Sequence, residues 1–526
     1  MKFKDLTQEQ IEHITNVYKN KNDMSWDKRA DKLAEEFGVT QRSIRKWVSE
    51  KLSLKERDEV IPEQYSLAQN KEFDSNKKRF IVTWAQNNTP VNNGLLKNIE
   101  AYADYIDASI HVIAGRYKNP TSVWTNEQEG NEFWDEKVIK YLDANRHDIH
   151  QYVSILSDVK IQPTAVNPMT GMNALSGINS CIFGAPKVQM EMIPVLDGNV
   201  PKIMLTTGSI TNKNYTDSKS GKVGDFHHTF GFCIVEIKDD EVFFIRQVTA
   251  DDKTGSFTDL YYNVDDGKVS KVKTIAAAVL GDLHLGHHDD EVIDATLNVL
   301  FKKLKPENVV LHDVFDGHSI SHHESKDAFQ LYRREQDGTN SVKLEVDNML
   351  EWLKKVEKYN VTIVRSNHDD FIDRWLINND WKKNIKNALE YIEYSHAILK
   401  GDAPKGIIPY LIEKNFPKIR TLDRSTSFKV KDWELGQHGD VGANGSRGSL
   451  LQFRKLNTKC VVGHYHSPGR KDGGLAVGTS TKLRVGYNIG PSSWLQSHVI
   501  IHEDGRAQHI NFFKDSKGVA HFTTFK

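Results

Sequence analysis

The sequence predicts an α/β protein whose regions differ in character. From residue 79 onward, short apolar runs rich in β-branched residues alternate with segments of helical apolar spacing, which is typical of α/β folds. Residues 1–60 contain only helical spacing. These changes of pattern predict four segments: a small helical domain (1–60), a linker (61–78), an α/β domain (79–270) and a second α/β domain (271–526).

Bulk properties exclude several classes of protein. A chain of 526 residues is too long to fold around a single hydrophobic core. Its net charge of −1 provides no global attraction for nucleic acid, so any such binding must come from local patches. Cys181, Cys233 and Cys460 are too few and too scattered for a disulfide framework and favour a reducing compartment, the cytoplasm. No apolar run approaches the roughly 20 residues of a membrane span, so we expect a soluble protein without a membrane partner.

Residues 5–52 show the spacing of three short helices. The first covers Leu6 to Tyr18, and Ser25 is placed to cap the second. The apolar stripe of the second helix consists of Ala30, Leu33, Ala34 and Phe37. Gly38-Val39-Thr40 then interrupts the helical pattern.

The third helix is predicted over Gln41 to Lys51, with Thr40 as its N-cap and with Ile44, Trp47 and Val48 facing inward. The unit resembles a helix-turn-helix, which implies that this helix lies in the major groove of DNA. The side chains available for DNA contacts would be Gln41, Arg42, Arg45 and Lys46. A protein-docking module is the alternative, because helix-Gly-helix patterns are common and the unit is not strongly basic.

The region from 79 to 270 opens with a β-α-β pattern. FIVTWA follows Arg79, helical spacing covers Leu95 to Tyr105, and Ser109 to Ala114 is again strand-like. Further strands are predicted at Lys202–Thr206, Gly231–Ile237 and Glu241–Val248. No motif in this region indicates a function, since His227-His228 lacks an accompanying carboxylate or cysteine cluster and is predicted to be structural.

Five predicted strand ends in the last region deliver Asp, His or Asn side chains. The first reads AVLGDLHLGHHDD from Ala278 to Asp290, so an apolar run stops at Gly281 and is followed by Asp282 and His284. The later strand ends carry Asp313, then Asn367 and His368, then His438, and finally His464 and His466. Because ligands collect at the carboxyl edges of strands in α/β folds, these side chains are expected to converge on metal.

In this order the five turns resemble the calcineurin-like metallophosphoesterase superfamily, whose pattern is D-x-H, G-D, G-N-H-D/E, H and G-H-x-H. The resemblance covers about residues 272–526 and implies a two-sheet β-sandwich flanked by helices. Two positions depart from the pattern, because His312 stands where Gly precedes Asp313 and Ser366 stands where Gly precedes Asn367. Both departures affect turn residues and leave every expected ligand in place.

The resemblance implies two divalent metal ions that share one carboxylate. One ion would be held by Asp282, His284, His466 and the bridging Asp313; the other by Asp313, Asn367, His438 and His464. Oxygen and nitrogen ligands without thiolate suit Mn²⁺, Fe or Zn²⁺, and we favour Mn²⁺, with Mg²⁺ a further candidate. Such a pair activates water and neutralises phosphate charge, so phosphoester hydrolysis needs no protein nucleophile.

Two further residues receive catalytic roles from the resemblance. His368 would protonate the leaving alkoxide or stabilise the phosphoryl group, and Asp316 matches the carboxylate that orients this imidazole. Arg447 lies in a Gly-rich segment before a predicted helix and is a candidate phosphate contact, with a plain surface loop as the alternative. Five other imidazoles crowd the loops after the first two ligand turns and are not assigned as ligands: His287, His288, His318, His322 and His323.

A helix-turn-helix-like unit joined to a phosphoesterase suggests a polymer substrate, so the expected activity is a metal-dependent DNase with DNA as partner. The whole chain also looks like the large DNA-degradation proteins that some tailed phages encode early, which implies destruction of host DNA in the host cytoplasm. A phosphatase acting on nucleotides or phosphoproteins is the first alternative, and a DNA-binding regulator with a phosphoesterase scaffold is the second. Assembly into a homo-oligomer through residues 79–270 is a further expectation.

Overall fold

The computed structural model describes residues 2–19, 26–52, 63–71, 73–74, 76–119, 132–323, 327–456, 458–486 and 488–525. The chain divides into two compact units, an N-terminal unit (Met1–Ser66) and a main unit (Leu67–Lys526). The described part contains no helix with the length and apolar character that a membrane crossing requires.

The N-terminal unit contains the three predicted helices, α1 (Gln8–Lys19), α2 (Trp26–Glu36) and α3 (Gln41–Glu50). Gly38 adopts a left-handed φ of 59°, and Val39 N donates to Ala34 O, so α2 ends in a turn that only a glycine forms without strain. Thr40 caps α3 through a 3.2 Å bond from Ser43 N. The predicted cap Ser25 lies outside the described residues. The core of the unit consists of Leu6, Ile14, Tyr18, Ala30, Leu33, Ala34, Ile44, Trp47 and Val48.

The segment predicted as a linker is more ordered than its composition suggests. It contains α4 (Glu63–Gln69), and its C-terminal part belongs to the main unit. Ala68 O accepts a bond from Ala144 N, while the ring of Phe73 stacks on Phe80 with centroids 5.2 Å apart. The expectation of a linker over 61–78 is therefore corrected for the described residues among 67–78, because Ala68 and Phe73 anchor them to the main unit.

The remaining helices all lie in the main unit. They are α5 (Asn93–Ile106), α6 (Glu136–Ile139), α7 (Lys219–His227), α8 (Asp290–Asp294), α9 (Phe301–Lys303), α10 (Ala328–Asp337), α11 (Val342–Leu353), α12 (Asp370–Asn378), α13 (Ala388–Lys400), α14 (Ile407–Asn415) and α15 (Leu450–Phe453). A π-helical stretch, Ala295–Leu300, joins α8 to α9, so residues 290–303 form one continuous helical segment.

The strands of the main unit alternate with these helices, which confirms the α/β class. They are β1 (Arg79–Gln86), β2 (Ser109–Gly115), β3 (Leu142–Asp143), β4 (Arg146–His150), β5 (Val153–Leu156), β6 (Ser180–Phe183), β7 (Gln189–Ile193), β8 (Lys202–Thr206), β9 (Gly231–Ile237), β10 (Phe243–Thr249), β11 (Phe257–Asp259), β12 (Tyr262–Asp265), β13 (Lys268–Lys271), β14 (Thr274–Ile275), β15 (Ala277–Val279), β16 (Lys305–Pro306), β17 (Val309–His312), β18 (Val361–Val364), β19 (Arg420–Thr421), β20 (Lys429–Val430), β21 (Trp433–Glu434), β22 (Lys459–Val462), β23 (Gly469–Lys471), β24 (Gly474–Ala476), β25 (Ser497–Ile501), β26 (Ala507–Asn511), β27 (Phe513–Lys514) and β28 (Ala520–His521).

Two sheets position the predicted site. A six-stranded sheet has the order β19-β18-β17-β15-β25-β26, and a ten-stranded sheet has the order β20-β21-β22-β24-β23-β7-β8-β6-β5-β4. One buried cluster joins them, with Val279 and Val310 from the first sheet and Val461 and Leu475 from the second. The opposite face of the six-stranded sheet packs against apolar residues of α11 and α14, such as Met349. The two sheets therefore pack face to face, with helices on the outside.

The regions predicted as separate domains, 79–270 and 271–526, share the ten-stranded sheet. Strand β7 pairs antiparallel with β23, so Met190 lies opposite Arg470. A five-stranded sheet, β10-β9-β1-β2-β3, contains the predicted β-α-β unit with β1 and β2 parallel. Because strands from both regions hydrogen-bond in one sheet, residues 270 and 271 do not mark a boundary between compact units.

Candidate metal centre

The candidate site lies where five strands end, three from the six-stranded sheet and two from the ten-stranded sheet. The strands β15, β17 and β18 run parallel, as do β21 and β22, so within each set the carboxyl ends lie at one edge. The first two ligand turns are also tied together, because Leu283 N donates to His312 O and His284 N donates to Asp313 O. This arrangement brings together side chains that are far apart in the sequence.

One group of four buried side chains converges as predicted. The ligand atoms of Asp282, His284, Asp313 and His466 all lie within 4.8 Å of one another, an arrangement that can hold a metal ion. His284 Nε2 lies 3.0 Å from His466 Nε2 and 3.4 Å from Asp313 Oδ2. Two imidazole nitrogens at about 2.1 Å from one ion have this separation when the angle between them is about 90°.

The second predicted group meets the first at Asp313. His438 Nε2 lies 3.2 Å from Asp313 Oδ2 and 3.2 Å from Asn367 Oδ1, and His464 Nδ1 lies 3.1 Å from the same amide oxygen. His438 is buried, whereas Asn367 and His464 are half-buried. The centre is therefore more open to solvent on the side of Asn367 and His464.

The backbone at the site adopts conformations that most residues avoid. His284, Asp313, His464 and His466 have φ values of 41°, 47°, 74° and 55°, all in the left-handed region. Such conformations cost of order 1–3 kcal/mol each and persist where the surrounding structure and the function require them. Gly463 is needed for close approach, because a Cβ there would collide with Asp282 Oδ1.

Two buried carboxylate oxygens show whether the side chains of the cluster are suited to binding a cation. Asp282 Oδ1 and Asp313 Oδ1 are buried without a hydrogen-bond partner. Leaving such an atom unpaired costs free energy unless a cation or water satisfies it. Carboxylate, imidazole and amide donors without thiolate suit Mn²⁺, Fe or Zn²⁺, so the donor set fits a metal centre.

Electrostatics in the cluster also favour a cation. Burial raises the pKa of Asp313, but the imidazoles of His438 and His368 lower it more, so that pKa lies well below its usual range. Burial lowers the pKa of His438, and the Asp313 carboxylate raises it more, to about 9. Without metal, His438 therefore carries a proton at neutral pH that balances the buried carboxylate, and metal binding would release this proton.

His368 and Asp316 contact each other, but not in the predicted way. The His368 Nδ1 lies 2.6 Å from the backbone oxygen of Asp316, whereas the Asp316 carboxylate is 3.9 Å away. That carboxylate lies 3.0 Å from His284 Nδ1. Asp316 therefore orients the catalytic candidate through its main chain and the ligand candidate His284 through its side chain.

The predicted DNA-contacting residues belong to two elements, α3 of the N-terminal unit and a loop of the main unit. On α3, Arg42 and Lys46 are exposed on the face opposite Ile44, while Gln41 and Arg45 are half-buried. Arg447 is exposed in a loop closed by a bridge to Val441, and the following helix α15 has only four residues. These positions permit contact with a polyanion, and their role stays a prediction.

Two residues near the centre, His312 and Arg424, received no functional role in the sequence analysis. His312 Nδ1 lies 3.4 Å from His438 Nδ1, and Arg424 donates to Asp440 and Asp370, each at 2.6 Å, tying together two ligand-bearing turns. The only sequence signal for His312 was its replacement of a turn glycine. Arg424 had none, because it lies outside every motif.

Comparison with known proteins identifies a relative in a phage. Over 462 residues the chain is 31% identical to Protein A1 of Escherichia phage T5, covering 83% of this chain and 82% of that protein. The chain belongs to the Protein A1 family. No family model and no solved structure matches it. Membership thus links the chain to a phage protein, and the name Protein A1 states no activity.

Proposed function

We propose that this member of the Protein A1 family is a metal-dependent phosphoesterase that hydrolyses phosphodiester bonds in DNA. One observation carries the proposal: five strand ends converge around two buried carboxylate oxygens that have no hydrogen-bond partner, Asp282 Oδ1 and Asp313 Oδ1. The order of the turns and the packing of two sheets face to face support a calcineurin-like phosphoesterase fold.

In this proposal the seven predicted ligands, Asp313 among them, would hold two divalent cations, with Mn²⁺ favoured. When bound, such ions activate water and neutralise charge on the phosphate. The chain supplies the geometry, since Asp282 Oδ2 also accepts a 2.7 Å bond from His464 N and thereby fixes the turn of the other ion's ligand. Phosphate would enter from the open side, where Asn367 and His464 are half-buried.

His368 is proposed as the general acid. Its Nδ1 is held by the Asp316 carbonyl oxygen, so Nε2 is the nitrogen left for the substrate. Burial lowers the pKa of His368, but Asp313 and Asp316 raise it more, so its pKa lies above the usual value. A raised pKa extends the pH range over which the imidazole is protonated, which favours a group that donates a proton to the leaving alkoxide.

DNA is favoured as substrate by two features outside the metal centre. The helix α3 presents Arg42 and Lys46 to solvent in a unit that resembles a helix-turn-helix. The relationship to a phage protein supports an early role in degrading host DNA in the host cytoplasm. Neither feature is expected for a phosphatase of small substrates, which needs no second binding surface.

The test compares three substrates in parallel with purified full-length protein and Mn²⁺ or Mg²⁺: linear duplex DNA, single-stranded DNA and a chromogenic phosphomonoester. We expect cleavage of DNA that chelator abolishes. Turnover of the monoester with intact DNA would make the protein a phosphatase. Binding of duplex DNA without turnover of any substrate would make it a regulator.

A further inference from the structure

A second group of potential metal ligands lies beside the centre. It includes the carboxylate oxygen of Asp316 that does not face His284. The Asp316 Oδ1 atom faces His284 Nδ1, whereas Oδ2 lies 3.7 Å from His287 Nε2. A nitrogen of His318 completes the group, and the three donor atoms lie within 4.8 Å of one another. None of these three is among the seven predicted ligands.

Backbone geometry explains why these side chains meet. Gly317, between Asp316 and His318, has a left-handed φ of 75°, which reverses the chain and lets residues on both sides of it converge. The half-buried Glu345 accepts bonds from His318 N and Ser319 N at 2.9 and 3.0 Å and so anchors this turn. The turn that carries His287 is fixed by its own bond from His287 N to His284 O.

The contact between His287 and Asp316 matches metal ligation better than direct hydrogen bonding. Their separation of 3.7 Å exceeds the range of a hydrogen bond. Ligand atoms at about 2.05 Å from a tetrahedral ion lie about 3.3 Å apart, so a small side-chain rotation would bring both onto one ion. Asp316 is buried, and its half-buried imidazole partners leave the group open to solvent on one side.

The donor types suit a cation as well. Asp316 offers a carboxylate oxygen, and His287 and His318 each offer an imidazole nitrogen. Oxygen and nitrogen donors without thiolate suit divalent transition-metal ions.

We propose that His287, Asp316 and His318 bind a third divalent transition-metal ion, Zn²⁺ or Mn²⁺, beside the binuclear centre. Two imidazoles and one carboxylate are a known donor set for such ions, and three protein ligands leave a coordination position open. The Asp316 carboxylate links this ion to His284 through its other oxygen. A role for the third ion in attracting the substrate backbone rests on the proposed function; its binding does not.

The test measures metal stoichiometry in the full-length protein. Chelator-treated protein is dialysed to equilibrium against Mn²⁺ or Zn²⁺, and bound metal is counted by mass spectrometry. We expect three equivalents in the wild type and two in the His287→Ala/His318→Ala variant. The His396→Ala variant, which removes an exposed imidazole of α13, should keep three. The same number of bound equivalents in the double variant as in the wild type would overturn the proposal.

Two further variants keep this result separate from folding and from the proposed function. His287→Asn retains polarity and should also lose one equivalent while the circular dichroism spectrum is unchanged. Asp313→Ala should retain the third ion, since Asp313 is not part of that group. A protein that binds three ions but cleaves no DNA would contradict the proposed function alone. A DNase whose metal count is unaffected by His287→Ala/His318→Ala would contradict the third site alone.

Discussion

The candidate metal centre and the outer face of α3 hold their charged side chains in opposite environments. The centre buries Asp282, His284 and Asp313 almost completely, with left-handed backbone at two of them. The α3 face keeps Arg42 and Lys46 in solvent on a capped helix without strain. Buried charge in fixed geometry supports chemistry, whereas exposed charge supplies attraction that salt screens. Mutations should therefore have large effects at the centre and small, salt-dependent effects on α3.

The largest effect is expected at Asp313, which contacts both halves of the centre. Asp313→Ala should abolish phosphoester hydrolysis, because the two ions lose their common carboxylate. Bound metal and cleavage of linear DNA are the measurements. Asp294→Ala removes an exposed carboxylate of α8 and serves as the control, with wild-type values expected. Full activity of Asp313→Ala would contradict the proposed centre.

We expect substitution of His368 to lower the catalytic rate without reducing metal binding. His368→Ala should retain the metal content of the binuclear centre and lower the rate by about 10²-fold or more, because it removes the general acid. Rates under single-turnover conditions and metal counts on the same preparation check this. If His368→Ala lost as much metal as Asp313→Ala, its assignment as an acid rather than a ligand would fail.

His312 tests whether a side chain behind the centre tunes a ligand. Its Nδ1 lies 3.4 Å from His438 Nδ1, so it can hold the tautomer that leaves Nε2 for metal. His312→Gly, which restores the family pattern, and His312→Asn should both lower metal affinity by about 10- to 100-fold in calorimetry. His509→Ala removes another buried imidazole and should lower Tm with unchanged metal affinity. Unchanged affinity in both His312 variants would leave this residue a purely structural role.

The smallest effect is expected on α3. Arg42→Ala plus Arg45→Ala should weaken binding of duplex DNA and reduce the slope of log affinity against log salt by about 2, since two phosphate contacts are lost. The rate on saturating DNA should be unchanged. Lys28→Ala plus Lys32→Ala removes equal charge from α2 and should retain the wild-type slope. Equal behaviour of the two double variants would make the unit a docking module.

The same contrast explains what could be predicted from sequence. The ligand turns follow one another in a recognisable order, and Asp282 to His466 are visible because each follows its own apolar run. The helices of the N-terminal unit are visible through apolar spacing and the cap Thr40. Both kinds of signal are local.

The features that the sequence did not predict depend on contacts between residues that are far apart in the chain. The pairing of β7 with β23 joins residues about 280 positions apart, and the sequence of neither strand indicates which strand it pairs with. The meeting of His287 with Asp316 depends on the turn at Gly317 and on an anchor from α11, Glu345. Asp316 was assigned to His368 from the family resemblance, and only the structure shows its carboxylate facing His284.

The central claim is that the converging side chains form a metal centre that cuts DNA. The most direct measurement follows cleavage of linear duplex DNA by metal-depleted protein as Mn²⁺ is added back, in the wild type and in Asp313→Ala. The account predicts that wild-type cleavage returns with the added metal and that the variant stays inactive at every concentration. Cleavage by the variant, or cleavage by the metal-depleted wild type in chelator, would contradict it.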